Sequence, residues 1–310
     1  MTTALVTHPD CLKHVTPSGH PERAARLDAI MARLDAPEFR TLTRVEAPLC
    51  RQEHLLRVHP QRYISLMVER TPPSGHASLD PDTHLSPGSY EAALRAAGAN
   101  VRAVELVVAG EVRNAFCATR PPGHHAETAR AMGFCLFGNV AVGAMHALEE
   151  CGLPRVAIID FDVHHGNGTS EILWNEPRAL FASTHQMPLY PGTGQAGETG
   201  SHDQIVNVPL GPGDGGVEFR RAMTETILPR VEQHRPDCIF ISAGFDAHRR
   251  DPLANLVLET EDFAWATEAI CDLADTVCGG RVVSTLEGGY DLDGLADSVC
   301  AHLRELMRRN

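Results

Sequence analysis

The sequence has a single lysine (Lys13), no cluster of basic residues, no long apolar run and no Cys-x-x-Cys pair. Each absence excludes a class. The 27 basic side chains face 40 acidic ones, a formal charge of −13, and no Lys/Arg-rich stretch supplies the electrostatic footprint of phosphate-backbone binding. Nucleic acid is therefore excluded as the expected partner. Mostly apolar stretches such as Val104–Ala109, which still contains Glu105, are far shorter than the ~20 residues a helical membrane span needs. The first residues, MTTALVTHPDCLKH, lack the basic-then-apolar pattern of a secretory signal. Nine cysteines without metal or redox spacing, several in apolar surroundings (Cys117, Cys135, Cys238), read as reduced and packed, and so as a cytoplasmic protein. No membrane role is expected, and the oligomeric state is left open.

What is abundant is histidine, with 17 residues. Their placement follows from the organisation of the chain. Short β-rich apolar runs (Ala4–His8, Asn114–Thr119, Val156–Phe161, Ala179–Thr184, Ile205–Leu210, Cys238–Ala243, Val282–Leu286) alternate with amphipathic stretches. The latter predict helices at Glu22–Leu34, Gly88–Ala109, Gly138–Glu150, Val217–His234, Glu261–Val277 and Leu295–Arg308. Strands apolar throughout suit a sheet covered on both faces. The pattern predicts one three-layer α/β/α domain over 1–310, built on a mostly parallel sheet.

Between these elements, Gly, Pro, His and Asp concentrate in RPPGHHAE (Arg120–Glu127), DFDVHHGNG (Asp160–Gly168), YPGTG (Tyr190–Gly194), GFDAHRRDP (Gly244–Pro252) and EGGYD (Glu287–Asp291). Four of the five directly follow a predicted strand. In open α/β sheets the ligand lies outside the carboxyl ends of the strands, so these loops should converge.

Asp162 and His164 lie two apart where a strand runs out, and in extended backbone both side chains point the same way. Asp246, after another strand, can add a third ligand. One imidazole and two carboxylates suit Zn²⁺ and leave coordination positions open, as in a catalytic site; Fe²⁺ is accepted by the same donors. A two-metal site would want a further Asp at position 166, which is Gly166.

Hydrolysis of an amide also needs a proton shuttle. The adjacent His124 and His125 are the candidates, with Asp160 and Asn167 as partners that fix their tautomers. An Asp partner keeps its imidazole charged, whereas an Asn orients without that effect. His125 with Asn167 is accordingly assigned as the shuttle, and His124 with Asp160 as electrostatic support. Tyr290, behind two glycines, is a candidate donor to the oxygen that turns negative during hydrolysis. Phe134 after Gly133, together with Tyr190, could wall a narrow tube with Leu253 at its rim, suited to an alkyl chain ending in an acylated amine.

These motifs, in this order from Arg120 to Asp291, resemble those of zinc-dependent histone deacetylase-like amidohydrolases of the arginase/deacetylase superfamily, in their class II and bacterial branch. HPERAARL (His20–Leu27) and DPDTHLSPGSYEAAL (Asp80–Leu94) extend the resemblance towards the amino terminus. It implies Asp162, His164 and Asp246 as zinc ligands, His124 and His125 as the histidine pair, and Tyr290 as the carbonyl-polarising residue. It further implies a potassium site using Asp160, Ser183 and Thr184 beside backbone carbonyls, a substrate-gripping rim residue at Asp82, and a buried channel arginine at Arg23. The implied activity is hydrolysis of an acylated primary amine, N-ε-acetyl-lysine first. Acetylpolyamines are the alternative, although Leu253 stands where polyamine-specific members carry Glu. A non-catalytic acyl-lysine binding module is the alternative from another class.

Overall fold

The segments VAIID and CIFISA carry no polar face, and in the computed structural model, which describes residues 2–309, both are central strands buried along their whole length. In chain order the strands are β1 (Thr3–Thr7), β2 (Thr43–Glu46), β3 (Ala77–Ser78), β4 (His84–Leu85), β5 (Asn114–Cys117), β6 (Val156–Asp160), β7 (Ala179–Gln186), β8 (Ile205–Leu210), β9 (Cys238–Ala243) and β10 (Val282–Leu286). The α-helices are α1 (Ala25–Arg33), α2 (Gln52–Leu55), α3 (Gln61–Arg70), α4 (Ser89–Val108), α5 (Asn139–Glu149), α6 (Asn167–Leu173), α7 (Gly216–Ala222), α8 (Leu228–His234), α9 (Thr260–Cys278) and α10 (Leu292–Met307).

Eight strands form one sheet in the order β2-β1-β5-β10-β9-β6-β7-β8, every neighbouring pair parallel. Period-two alternation divides each strand between two cores. Leu5, Phe116, Ile159 and Ile241 pack beneath residues of α1 and α7–α10, whereas Val6, Cys117, Ile158 and Phe240 pack beneath α4 and α5. This is the expected three-layer α/β fold. A third apolar cluster joins Tyr63, Ile64 and Met67 of α3 to Ala93 and Ala97 of α4.

Several local features depart from the sequence reading. Val217–His234 is not one regular helix: a π-type turn at Met223–Ile227 separates α7 from α8. Pro229, in the first turn of α8, has no N–H to donate to the preceding turn, which accounts for the break there. Strand β2 was not expected, because TRVE is polar and mostly exposed; it is an edge strand, where charge blocks further pairing. The antiparallel pair β3–β4 and helices α2 and α3 were likewise not foreseen.

The parallel order decides where the chemistry gathers. Strands β5, β10, β9 and β6 are consecutive neighbours, so the loops leaving their carboxyl ends emerge side by side. Those four loops carry His124, Tyr290, Asp246 and Asp162 respectively. No helix among the described residues is long and apolar enough to cross a membrane. All nine cysteines are free.

Candidate active site

Asp162, His164 and Asp246 meet beyond the ends of β6 and β9. They are the one His/Cys/Asp/Glu group among the described residues whose ligand atoms all lie within 4.8 Å of one another. His164 Nδ1 is 3.1 Å from Asp162 Oδ1 and 3.2 Å from Asp246 Oδ2. Donors about 2.0 Å from a tetrahedral centre are separated by about 3.3 Å, so this spacing fits a zinc-sized ion. Backbone amides aim both carboxylates: Gly288 N donates to Asp162 Oδ2 at 2.8 Å, and Val163 N to Asp246 Oδ1 at 2.9 Å. Glycine at 288 is required by this approach, since a Cβ there would overlap Asp246 and Asp162 oxygens. Two carboxylates exposed by 1% or less, sharing one imidazole, form a donor set that calls for a cation. Burial depresses the His164 pKa, but hydrogen bonds to the two carboxylates outweigh it and raise the value to about 10.

The histidine pair stands beside these ligands, with ring centroids 4.0 Å apart. His124 Nδ1 lies 3.0 Å from Asp160 Oδ2, and His125 Nδ1 lies 2.8 Å from Asn167 Oδ1. Burial pulls both pKa values down. For His124, the charges of Asp162 and Asp160 more than offset burial and hold the ring well above the ordinary histidine value. For His125, positive charge on His124 and His164 adds to burial and holds it well below. The two imidazoles thus differ as their partners do: the pKa of one is pushed up and that of the other down. A carboxamide oxygen only accepts, so His125 Nδ1 carries the hydrogen and Nε2 keeps its lone pair.

The cavity above them has a volume of about 240 Å³ and is lined by Asp82, His125, Gly133, Phe134, His164, Leu189, Tyr190, Leu253 and Tyr290. Gly133, Phe134, Tyr190, Leu253 and Asp82 are therefore brought together. The Phe134 and Tyr290 rings stand edge to face at 5.8 Å, and His125 and Tyr190 at 5.2 Å. Gly133 has φ +55°, and a Cβ there would collide with the His125 ring. Burial, partly offset by Arg26, holds the Tyr290 phenol well above its usual pKa and so protonated, able to donate.

Residues 20–306 match the histone deacetylase domain family. The chain belongs to the histone deacetylase family. It is 39% identical to a probable deacetylase of Archaeoglobus fulgidus, over 95% of this chain and 83% of the relative. It is 42% identical to the histone deacetylase-like amidohydrolase of Pseudomonas aeruginosa, over 79% of this chain and 65% of that one. The solved structure of the HDA15 HD domain superposes with a TM-score of 0.94 at 35% identity, covering 99% of this chain and 88% of that chain. A deacetylase or amidohydrolase is therefore the class of enzyme to which this chain is related.

One expected site residue is out of place. Arg23 is exposed and precedes α1, so it lines no internal channel. The buried arginines are Arg26 and Arg120. Arg26 lies one helical turn further on, stacks 4.8 Å over the Tyr290 ring and donates to Gly289 O at 2.6 Å and Glu287 O at 2.5 Å. Arg120 pairs bidentately with Glu22 at 2.6 Å for each bond. Ser183 faces Asp160 in the β6–β7 register, but its hydroxyl lies 2.9 Å from His185 Nδ1.

Two carboxylates with structural work at the site escaped the sequence reading. Glu287 Oε2 accepts from Gly123 N at 2.7 Å and His124 N at 3.2 Å, tying the histidine loop to the Tyr290 loop. Asp251 Oδ2 accepts from Tyr290 N at 2.6 Å, while Oδ1 accepts from Leu253 N at 3.0 Å. Burial pushes each of them up to about 7. Glu287 opens a motif already singled out, and Asp251 lies in RRDP; nothing in their spacing showed that they accept from loop amides.

Proposed function

We propose that the chain is a zinc-dependent deacetylase that hydrolyses the amide of an acylated primary amine, with N-ε-acetyl-lysine as its first substrate. The observation that carries this reading is the convergence of Asp162, His164 and Asp246, the His125 ring and Tyr290 on one narrow apolar-walled cavity. A zinc ion held by the three ligands would polarise the acyl carbonyl and lower the pKa of a nearby water.

The remaining steps belong to the protein. Phe134, Tyr190 and Leu253 enclose the alkyl chain and exclude water from it. His125 takes a proton from the attacking water at Nε2 and returns it to the leaving amine, two transfers that a neutral imidazole can perform in turn. His124, kept cationic by Asp160, stabilises negative charge developing beside it. Tyr290 donates a hydrogen bond to the carbonyl oxygen as it becomes an oxyanion. Asp82 at the cavity wall can accept from a substrate N–H. Asp160, Ser183 and Thr184, with neighbouring carbonyls, would hold a structural potassium ion.

The net charge of −13 favours cationic substrates over nucleic acid, and the nine free thiols accord with a cytoplasmic setting. Comparing kcat/KM for an acetyl-lysine peptide and for acetylputrescine tests the substrate. The peptide should be preferred; a tenfold preference for acetylputrescine would replace it with the polyamine reading.

A further inference from the structure

Asn167 has a carboxamide where its counterpart beside His124, Asp160, has a carboxylate, and the difference creates a requirement. A carboxylate presents an oxygen to its histidine whichever way it turns. A carboxamide presents either an oxygen or an NH₂ of nearly the same shape, and only its other neighbours decide which.

Here the other neighbours are Glu127 and Met132. Asn167 Nδ2 lies 2.8 Å from Glu127 Oε1 and 3.3 Å from Met132 Sδ. Both act as acceptors, so both amide hydrogens are taken up on that side. This leaves Asn167 Oδ1 facing His125 Nδ1 at 2.8 Å. The opposite orientation would set Oδ1 against the Glu127 carboxylate and aim the NH₂ at His125 Nδ1. The ring hydrogen would then move to Nε2, and His125 could no longer accept a proton in the cavity.

We propose that Glu127 is a positioning residue: it fixes the orientation of the Asn167 amide and, through it, the Nδ1–H tautomer of His125. The proposal rests on the reading of His125 as the proton shuttle. Its geometry does not depend on that reading. Glu127 is half-buried at the edge of the cavity loop, and its backbone is held separately by pairing with Arg130. A side-chain substitution there can therefore leave the loop in place.

The test compares wild type, E127Q and E127Q/N167D as full zinc-loaded chains. Ring-¹⁵N spectra report the His125 tautomer, with the His125→Gln protein identifying its signals, and kcat/KM on an acetyl-lysine peptide reports turnover. In E127Q the new side-chain amide can donate to Asn167 Oδ1, so the carboxamide is free to turn. The Nε2–H form of His125 should then become populated, and kcat/KM should fall about 10- to 100-fold, the scale expected when a residue that orients a functional histidine is lost. In E127Q/N167D the new carboxylate accepts from His125 in either orientation and from Gln at 127. The Nδ1–H form and most of the activity should return, a rescue that a merely structural role for Glu127 does not produce. The proposal is overturned if E127Q keeps the wild-type tautomer, or if the double variant recovers neither tautomer nor turnover. A wild-type chain inactive on every acyl-amine would remove the deacetylase reading, while the spectra would still decide the tautomer.

Discussion

The two ends of the sheet handle charge in opposite ways. At the amino ends of the strands, charged side chains pair in solvent: Arg178 with Glu149 at 2.6 Å and Arg230 with Asp203 at 3.0 Å, all about one third exposed or more. At the carboxyl ends, Asp160, Asp162, Asp246 and Glu287 are no more than 1% exposed, and their partners are mainly histidines and loop amides. Exposed pairs contribute little to stability in either direction, whereas crowded buried carboxylates cost stability unless something positive is added. The contrast teaches where the fold is organised for solubility and where for chemistry.

The largest effect should come from removing a carboxylate that has no substitute. Asp246→Asn should lose zinc and turnover together. Zinc at about 1,000 times its Kd should stabilise the wild-type fold by about 4 kcal/mol and the variant far less, as measured by denaturant unfolding with and without the ion. Equal stabilisation of both proteins would detach Asp246 from the metal. Next comes Tyr290→Phe, which keeps the ring but removes the hydroxyl proposed to donate to the oxyanion. It should lower kcat by about 3–4 kcal/mol of transition-state stabilisation in steady-state assays. Gly133→Ala sets a Cβ against the His125 ring on backbone at φ +55°, so about 1–3 kcal/mol of strain and a matching loss of turnover are expected.

The buried core has a pH signature of its own. His302 is fully buried between the Thr267 and Ser284 hydroxyls, at 2.6 and 2.8 Å, and burial depresses its pKa to about 3. Between about pH 6.5 and 3 the unfolded chain binds a proton that the folded chain does not. Folding stability should therefore fall with falling pH by up to about 1.4 kcal/mol per unit from this residue, and replacing His302 with Gln should flatten that slope in unfolding curves. Smallest of all, Arg178→Ala at the amino end should change stability by less than about 1 kcal/mol and leave kcat/KM unchanged.

The same contrast governs what could be read from the sequence. The strands over residues 156–160 and 238–243 were legible because full burial makes them apolar throughout, and β2 was not, because an edge strand need not be apolar. That Asp162, His164, Asp246, His124, His125 and Tyr290 come together could be foreseen because unusual residues collect after strands, and parallel order brings such loops together. Arg23 shows the limit. Arg23 and Arg26 are three residues apart in PERAAR, and which of them turns inward depends on where α1 begins, at Ala25, which the amphipathic pattern does not resolve. Asp251, Glu287 and Glu127 escaped for a related reason. They act by accepting from backbone or side-chain amides of other loops, and such contacts between distant segments leave no spacing in the chain.

The most direct test is turnover of an acetyl-lysine peptide by the full chain, before chelation, after removal of divalent metal, and after zinc is restored. Hydrolysis that disappears with the metal and returns with zinc in wild type, but not in Asp246→Asn, is the expected result. Undiminished hydrolysis in the metal-free protein, or none in the zinc-loaded wild type on any acylated amine, would contradict the account.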